Sequence, residues 1–222
     1  MTAFWDRAGE VISEEQLSRL RTEMINVQII ARGVKDPLVL EALHRVKRHE
    51  FIMPGHERHA YDDGPLMIGE GQTISQPYIV ALMSELAKIG PESKVLEVGT
   101  GSGYQTAVLA EIAAEVFTIE ILPTLAAMAQ ERLRSMEFRN IHFRVGDGHL
   151  GWPEEAPFDA ILVTAAPEKA PEALVDQLKE GGRMVIPVGY YSQDLQVITR
   201  KADGAEKENV IPVRFVPMIR RN

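Results

Sequence analysis

Three short stretches hold the residues best suited to chemistry. The first runs from Lys94 to Gly103, where an apolar run with Val95, Leu96 and Val98 is broken by Gly99, Gly101 and Gly103. A strand, a glycine turn and a helix start let backbone approach a ligand where a Cβ would block it, an arrangement that suits nucleotide cofactors. The dinucleotide pattern needs its third glycine at position 104, where Tyr104 stands instead. The second stretch is Thr73-Ile74-Ser75-Gln76-Pro77-Tyr78. A serine there can hold a carboxylate without removing a proton. Serine before a proline-led helix is also an ordinary N-cap, and spacing alone favours that reading. The third set is acidic. Glu120, 21 residues after Gly99, can accept from both hydroxyls of a ribose, and Asp147, in Gly146-Asp147-Gly148, can accept from an adenine amino group.

Alternating elements must position these groups. Strands are expected over Lys94–Gly99, Glu115–Glu120, Ile141–Gly146, Phe158–Thr164 and Arg183–Gly189, with helices over Tyr104–Ala114, Leu122–Glu137 and Pro171–Glu180. Such alternation predicts a parallel sheet with helices on both faces and ligands at the carboxyl ends of the strands. Small residues, Thr164 to Pro167, end the fourth strand and leave room for a ligand. Two further strands, around Asp194–Lys201 and Asn209–Met218, are joined by a hairpin over residues 202–205. Upstream, Ser13 and Gln16 have capping-box spacing, followed by a helical face of Leu17, Leu20, Met24, Val27 and Ala31 that Gly33 ends. Asp36-Pro37 starts a second helix with a stripe of Leu40, Leu43 and Val46. Residues 1–12 are expected to be loosely ordered, and Leu66–Gly69 forms a short strand before an exposed glycine turn. The whole reads as one domain, with residues 1–60 a helical cap and 61–222 an α/β core.

Composition narrows the function. The chain of 222 residues has no cysteine, which excludes disulfides, thiolate metal sites and a cysteine nucleophile. A net charge of −8 argues against nucleic-acid partners and anionic membrane surfaces. No apolar run approaches the ~20 residues of a membrane span, and the N-terminus lacks a signal-peptide pattern. The expected setting is cytoplasmic and monomeric. His56-Glu57-Arg58-His59 lacks the four-residue helical spacing of a zinc-protease pair, so these read as solvated loop histidines and no metal is assigned.

The G-x-G-x-G spacing, with Glu97 inside the strand, resembles the first motif of S-adenosylmethionine-dependent methyltransferases. Together with Arg48-His49-Glu50-Phe51, Gly69 to Pro77, Asp159 to Pro167, Gly181-Gly182-Arg183, Pro187-Val188-Gly189 and Val213 to Pro217, it resembles the protein-L-isoaspartate O-methyltransferase family from about residue 15 onward. Many members have Ala and His where this chain has Gln76 and Tyr78. The resemblance implies a Rossmann-like, doubly wound, seven-stranded sheet, mostly parallel with an antiparallel C-terminal strand and the last two strands exchanged. It implies S-adenosylmethionine as cosubstrate, S-adenosylhomocysteine as product, and isoaspartyl proteins or peptides as substrates. Ser75 aligns with the catalytic serine. Ile74, Glu97, Gly99, Gly101, Gly103, Glu120, Asp147 and Gly148 are the implied cofactor contacts. Two other readings stay open at this point: methylation of a small acid, amine or phenol, and a non-catalytic nucleotide- or adenosylmethionine-binding module.

Overall fold

The computed structural model describes residues 12–220. The stretch expected to be loosely ordered lies outside the described residues except for Ile12, which is buried in the core. Helix α1 (Glu14–Glu23) opens with a complete capping box: Gln16 N donates to Ser13 Oγ at 3.2 Å and Ser13 N to Gln16 Oε1 at 2.8 Å. It does not continue as an α-helix. Residues Met24–Ile29 wind as a π-helix and Ile30–Arg32 as a 3₁₀ turn, which Gly33 closes at φ +97°. The wider π turn changes the phase of the buried face. Ile25 and Ile29 join Leu17 and Met24 in the core, whereas Val27, expected inside, is 62% exposed and Ala31 is also exposed. Helix α2 (Pro37–Arg45) is capped by Asp36, which accepts from Leu38 N and Val39 N, and buries Val39, Ala42 and Leu43.

Strands β1 (Leu66–Gly69) and β2 (Gln72–Ile74) form an antiparallel hairpin that leads into helix α3 (Pro77–Ala87). The main sheet contains β3 (Lys94–Val98), β4 (Glu115–Glu120), β5 (Ile141–Val145), β6 (Phe158–Val163), β7 (Leu178–Gly189), β8 (Gln193–Lys201) and β9 (Gly204–Val213). Its order is β5-β4-β3-β6-β7-β8-β9. The first five in that order are parallel, and β8 runs antiparallel to both β7 and β9. Strand order reverses between β3 and β6, the place where such sheets bind ligands.

Helices α4 (Tyr104–Ala110) and α5 (Pro123–Ser135) make the crossovers β3 to β4 and β4 to β5. Val95, Val116, Ala160 and Val185 pack into one core with the N-terminal helices, α3 and α4, while Leu96, Phe117, Ile161 and Met184 pack into a second. Burial on both faces is why these strands read as near-continuous apolar runs. The expected helix over Pro171–Glu180 shrinks to α6 (Glu172–Val175), because β7 begins at Leu178, which is buried and pairs with Phe158. Sheet pairing there outweighs local helical preference. At the other end β9 starts at Gly204 and stops at Val213. Residues 214–218 leave the sheet, and Ala166 N donates to Val216 O while Met218 N donates to Ala166 O, each at 2.8 Å.

The loop over residues 49–65 is less solvated than expected. His56 and His59 are exposed, but His49 is buried, its Nδ1 2.7 Å from the Tyr61 hydroxyl. Arg48 is fully buried. Its Nε donates to Ala60 O at 2.7 Å and its guanidinium lies 5.0 Å from the Tyr104 ring centroid, so the N-terminal region bears directly on the start of α4. Among the described residues no helix is long and apolar enough to cross a membrane, and no group of three potential metal ligands forms.

Candidate active site

Register brings the candidate groups together. Val98 pairs with Ile119 and with Val163, so Gly99, Glu120 and Thr164 all emerge at the same end of the sheet. Gly99 has φ +99°, and a Cβ there would sit 2.3 Å from Thr164 Oγ1, which donates to Gly99 O at 2.7 Å. Thr164 thus fastens the turn to the next strand, and only glycine fits. Gly101 N donates to Glu120 Oε2 at 2.8 Å, while Leu122 N donates to Glu120 Oε1 at 3.0 Å. The carboxylate is fixed by one backbone N–H per oxygen, with lone pairs to spare on each. Arg132 of α5 supports the same turn, its NH1 donating to Ser102 O at 2.7 Å.

A cavity enclosing about 840 Å³, open mouth included, lies over this turn. Its wall includes Ile74, Ser75, Gly99, Gly101, Glu120 and Gly148 of the expected site residues. Three expected residues do not line it. Gly103 packs beneath α5, where a Cβ would be 3.0 Å from Leu133 Cδ1. Asp147 turns back on its own loop, Oδ1 accepting from His149 N at 2.9 Å and lying 2.9 Å from His149 Nδ1. Burial opposes its ionisation, yet the hydrogen bonds from His149 and the charges of His149 and Arg220 together hold its pKa below the usual value. Glu97 is sealed under the turn, its Oε2 accepting from Thr106 Oγ1 at 2.5 Å and Thr118 Oγ1 at 2.6 Å. Burial pushes its pKa up to about 8 despite those bonds, so it is largely a neutral acid at pH 7. Gly148 meets the cavity because it is bare: a Cβ would sit 2.2 Å from Val98 Cγ1.

Ser75 lies between β2 and α3 without capping the helix. Gln76 occupies the N-cap position and no side chain caps. Ser75 instead stands on two walls at once. It lines the cavity and also a wider, open groove of about 1450 Å³ formed with Thr73, Tyr78, Thr164 and residues 211–216. Residues 216–219 complete the cavity and residues 211–216 the groove, so one C-terminal segment borders both. Sequence reasoning assigned no site role to that segment or to Thr73, although Val213 to Pro217 was among the family-like stretches.

A bare glycine turn, an anchored carboxylate at the next strand end and a cavity lying over both fit S-adenosylmethionine. Fold and site define a class I S-adenosylmethionine-dependent methyltransferase. The family model of protein-L-isoaspartate(D-aspartate) O-methyltransferase matches residues 19–222, and the chain belongs to that family. It is 56% identical over 199 residues to a protein-L-isoaspartate O-methyltransferase of Picosynechococcus sp., covering 90% of each chain. Identity to that of Gloeobacter violaceus is 53%, covering 89% of this chain and 97% of the relative. Among solved structures, a Plasmodium falciparum protein described as such a methyltransferase, in complex with S-adenosyl-L-homocysteine, superposes with a TM-score of 0.78 at 28% identity, covering 90% of this chain and 98% of that one. Another protein-L-isoaspartate O-methyltransferase gives a TM-score of 0.81 at 27% identity, with 90% of this chain spanning 65% of that protein.

Proposed function

We propose that this chain methylates the free α-carboxylate of L-isoaspartyl residues in damaged proteins or peptides, beginning repair through a methyl ester and succinimide. The observation that carries the reading is the place of Ser75, on the shared border of the cavity over the glycine turn and the neighbouring groove. S-adenosylmethionine, when bound, supplies a methyl group already activated on a sulfonium. Glu120 and the backbone of the glycine turn would hold its nucleoside, with Ile74 and Gly148 as further wall. A carboxylate acceptor with pKa near ~3.5 is ionised at neutral pH, so no residue has to act as a strong base. Glu97, sealed beneath the turn, is not placed to be one. Ser75 Oγ–H donates to one carboxylate oxygen and so orients the other, and Thr73, Thr164 and Val216 line both cavity and groove beside it.

The test is transfer of labelled methyl from S-adenosylmethionine to an isoaspartyl peptide and to its aspartyl twin. Label in the isoaspartyl peptide alone is expected. Equal labelling of the two, or labelling of neither, contradicts the proposal.

A further inference from the structure

The groove's charge is at odds with that of the chain. Net charge is −8, yet among the described residues the charged side chains lining the groove are two arginines, Arg32 and Arg214, with no carboxylate. They come from distant parts of the sequence and are held differently. Arg32 ends the 3₁₀ turn before Gly33, its guanidinium 3.7 Å from the Tyr78 ring centroid. Its NH1 lies 3.1 and 3.0 Å from the two Asp63 carboxylate oxygens, and Gln76 Nε2 donates to Asp63 Oδ1 at 2.6 Å. Arg32 is therefore locked in place and largely neutralised. Arg214 is exposed and follows the end of β9. Its backbone is steadied next door, where Phe215 N donates to Gln193 Oε1 at 2.6 Å and Gln193 Nε2 to Phe215 O at 3.2 Å. No partner occupies the Arg214 guanidinium among the described residues.

We propose that the groove selects isoaspartyl peptides carrying a second carboxylate, an Asp or Glu within a residue or two of the isoaspartyl unit, and that Arg214 reads it. Arg32 contributes less because Asp63 cancels most of its charge. This inference rests on the proposed reaction and names the substrate class within it. The chain's overall negative charge acts against acidic peptides at long range, but beyond about 8 Å it is largely screened at physiological salt, whereas direct contact with an arginine in the groove wall is screened less. An exposed ion pair of this kind changes binding by roughly 1.4- to 5-fold.

The experiment uses three isoaspartyl peptides that differ only in one neighbouring residue: Glu, Gln or Lys. The expected order of kcat/KM is Glu, then Gln, then Lys, with the difference mainly in KM and fading as salt is raised. Arg214→Gln should bring the Glu-to-Gln ratio toward one. Asp63→Asn, which keeps an amide oxygen for Gln76 while releasing the charge of Arg32, should increase that ratio. A general loss of fold cannot move one ratio in opposite directions in two variants. A wild-type ratio of one, or a ratio unmoved by both substitutions, overturns the inference. So does an equal loss for all three peptides in Arg214→Gln, which would put Arg214 on the isoaspartyl carboxylate itself. Methylation of none of the peptides overturns the proposed reaction, and this inference with it.

Discussion

Changing Glu120 to glutamine tests the cofactor assignment at the level of single atoms. In the wild type Gly101 N–H and Leu122 N–H each occupy one carboxylate oxygen, at 2.8 and 3.0 Å, leaving an acceptor site on both for a ribose diol. Glutamine keeps the volume but turns one oxygen into an amide nitrogen, which cannot accept. One backbone N–H then faces a donor, and one ribose hydroxyl loses its charged partner. A hydrogen bond to a charged group is worth about 1.5–3 kcal/mol. The Kd for S-adenosylmethionine, and equally for S-adenosylhomocysteine, should rise roughly 10- to 150-fold. Calorimetry on the folded variant gives the number, and a thermal melt without ligand accounts separately for the strained turn. An unchanged Kd in a folded Glu120→Gln protein would refute the argument, since no other carboxylate among the described residues lines the cavity.

Three more outcomes follow from the same geometry. Because Gln76 holds the N-cap position, Ser75→Ala should keep stability within about 0.5 kcal/mol. It should nonetheless lose tenfold or more in kcat/KM on an isoaspartyl peptide, or at least ~1.4 kcal/mol. Ser75→Asp should be nearly inactive through repulsion of the substrate carboxylate, and normal turnover in both variants would return Ser75 to a structural role. Glu97, raised to about 8 in the fold from an ordinary value of 4.5, binds its proton more tightly when folded. Its contribution to stability is complete below about pH 4.5 and is lost as pH rises through about 8, on the order of 5 kcal/mol in all. Glu97→Gln should flatten that part of the stability–pH profile in denaturant melts, and a parallel decline in both proteins would contradict the assignment. Gly148→Ala would place a methyl 2.2 Å from Val98 Cγ1 and 3.2 Å from Met218 Cε. It should cost about 1–3 kcal/mol of stability and weaken cofactor binding, and a variant matching wild type in both refutes the tight fit.

What the sequence made legible was local. The glycine turn, Glu120 at its distance along the chain and the alternation of β3 to β7 depend on spacing within one unit, which a linear reading captures. The π-helix at Met24–Ile29 was not legible, because a 3.6-residue period was assumed and one wider turn moves Val27 out and Ile25 in. Glu97 and Asp147 have the residue type of cofactor ligands, but burial of one beside Thr106 and Thr118 and the looping of the other onto His149 are three-dimensional facts. The contribution of residues 211–219 escaped for the same reason. Nothing local says that a chain leaving β9 will fold back to Ala166 and border both cavity and groove. Ser75 shows the limit from the other side, since spacing favoured a helix cap and the fold places that cap at Gln76.

The central claim is that methyl transfer takes place where cavity and groove meet, at Ser75. The most direct measurement is a crystal structure with S-adenosylhomocysteine and an isoaspartyl peptide bound together. The account predicts the nucleoside against Glu120 and the glycine turn, the peptide extended along the groove, and its α-carboxylate within hydrogen-bond distance of Ser75 Oγ. A peptide seated elsewhere, or an α-carboxylate turned away from Ser75 and from the cavity, would contradict it.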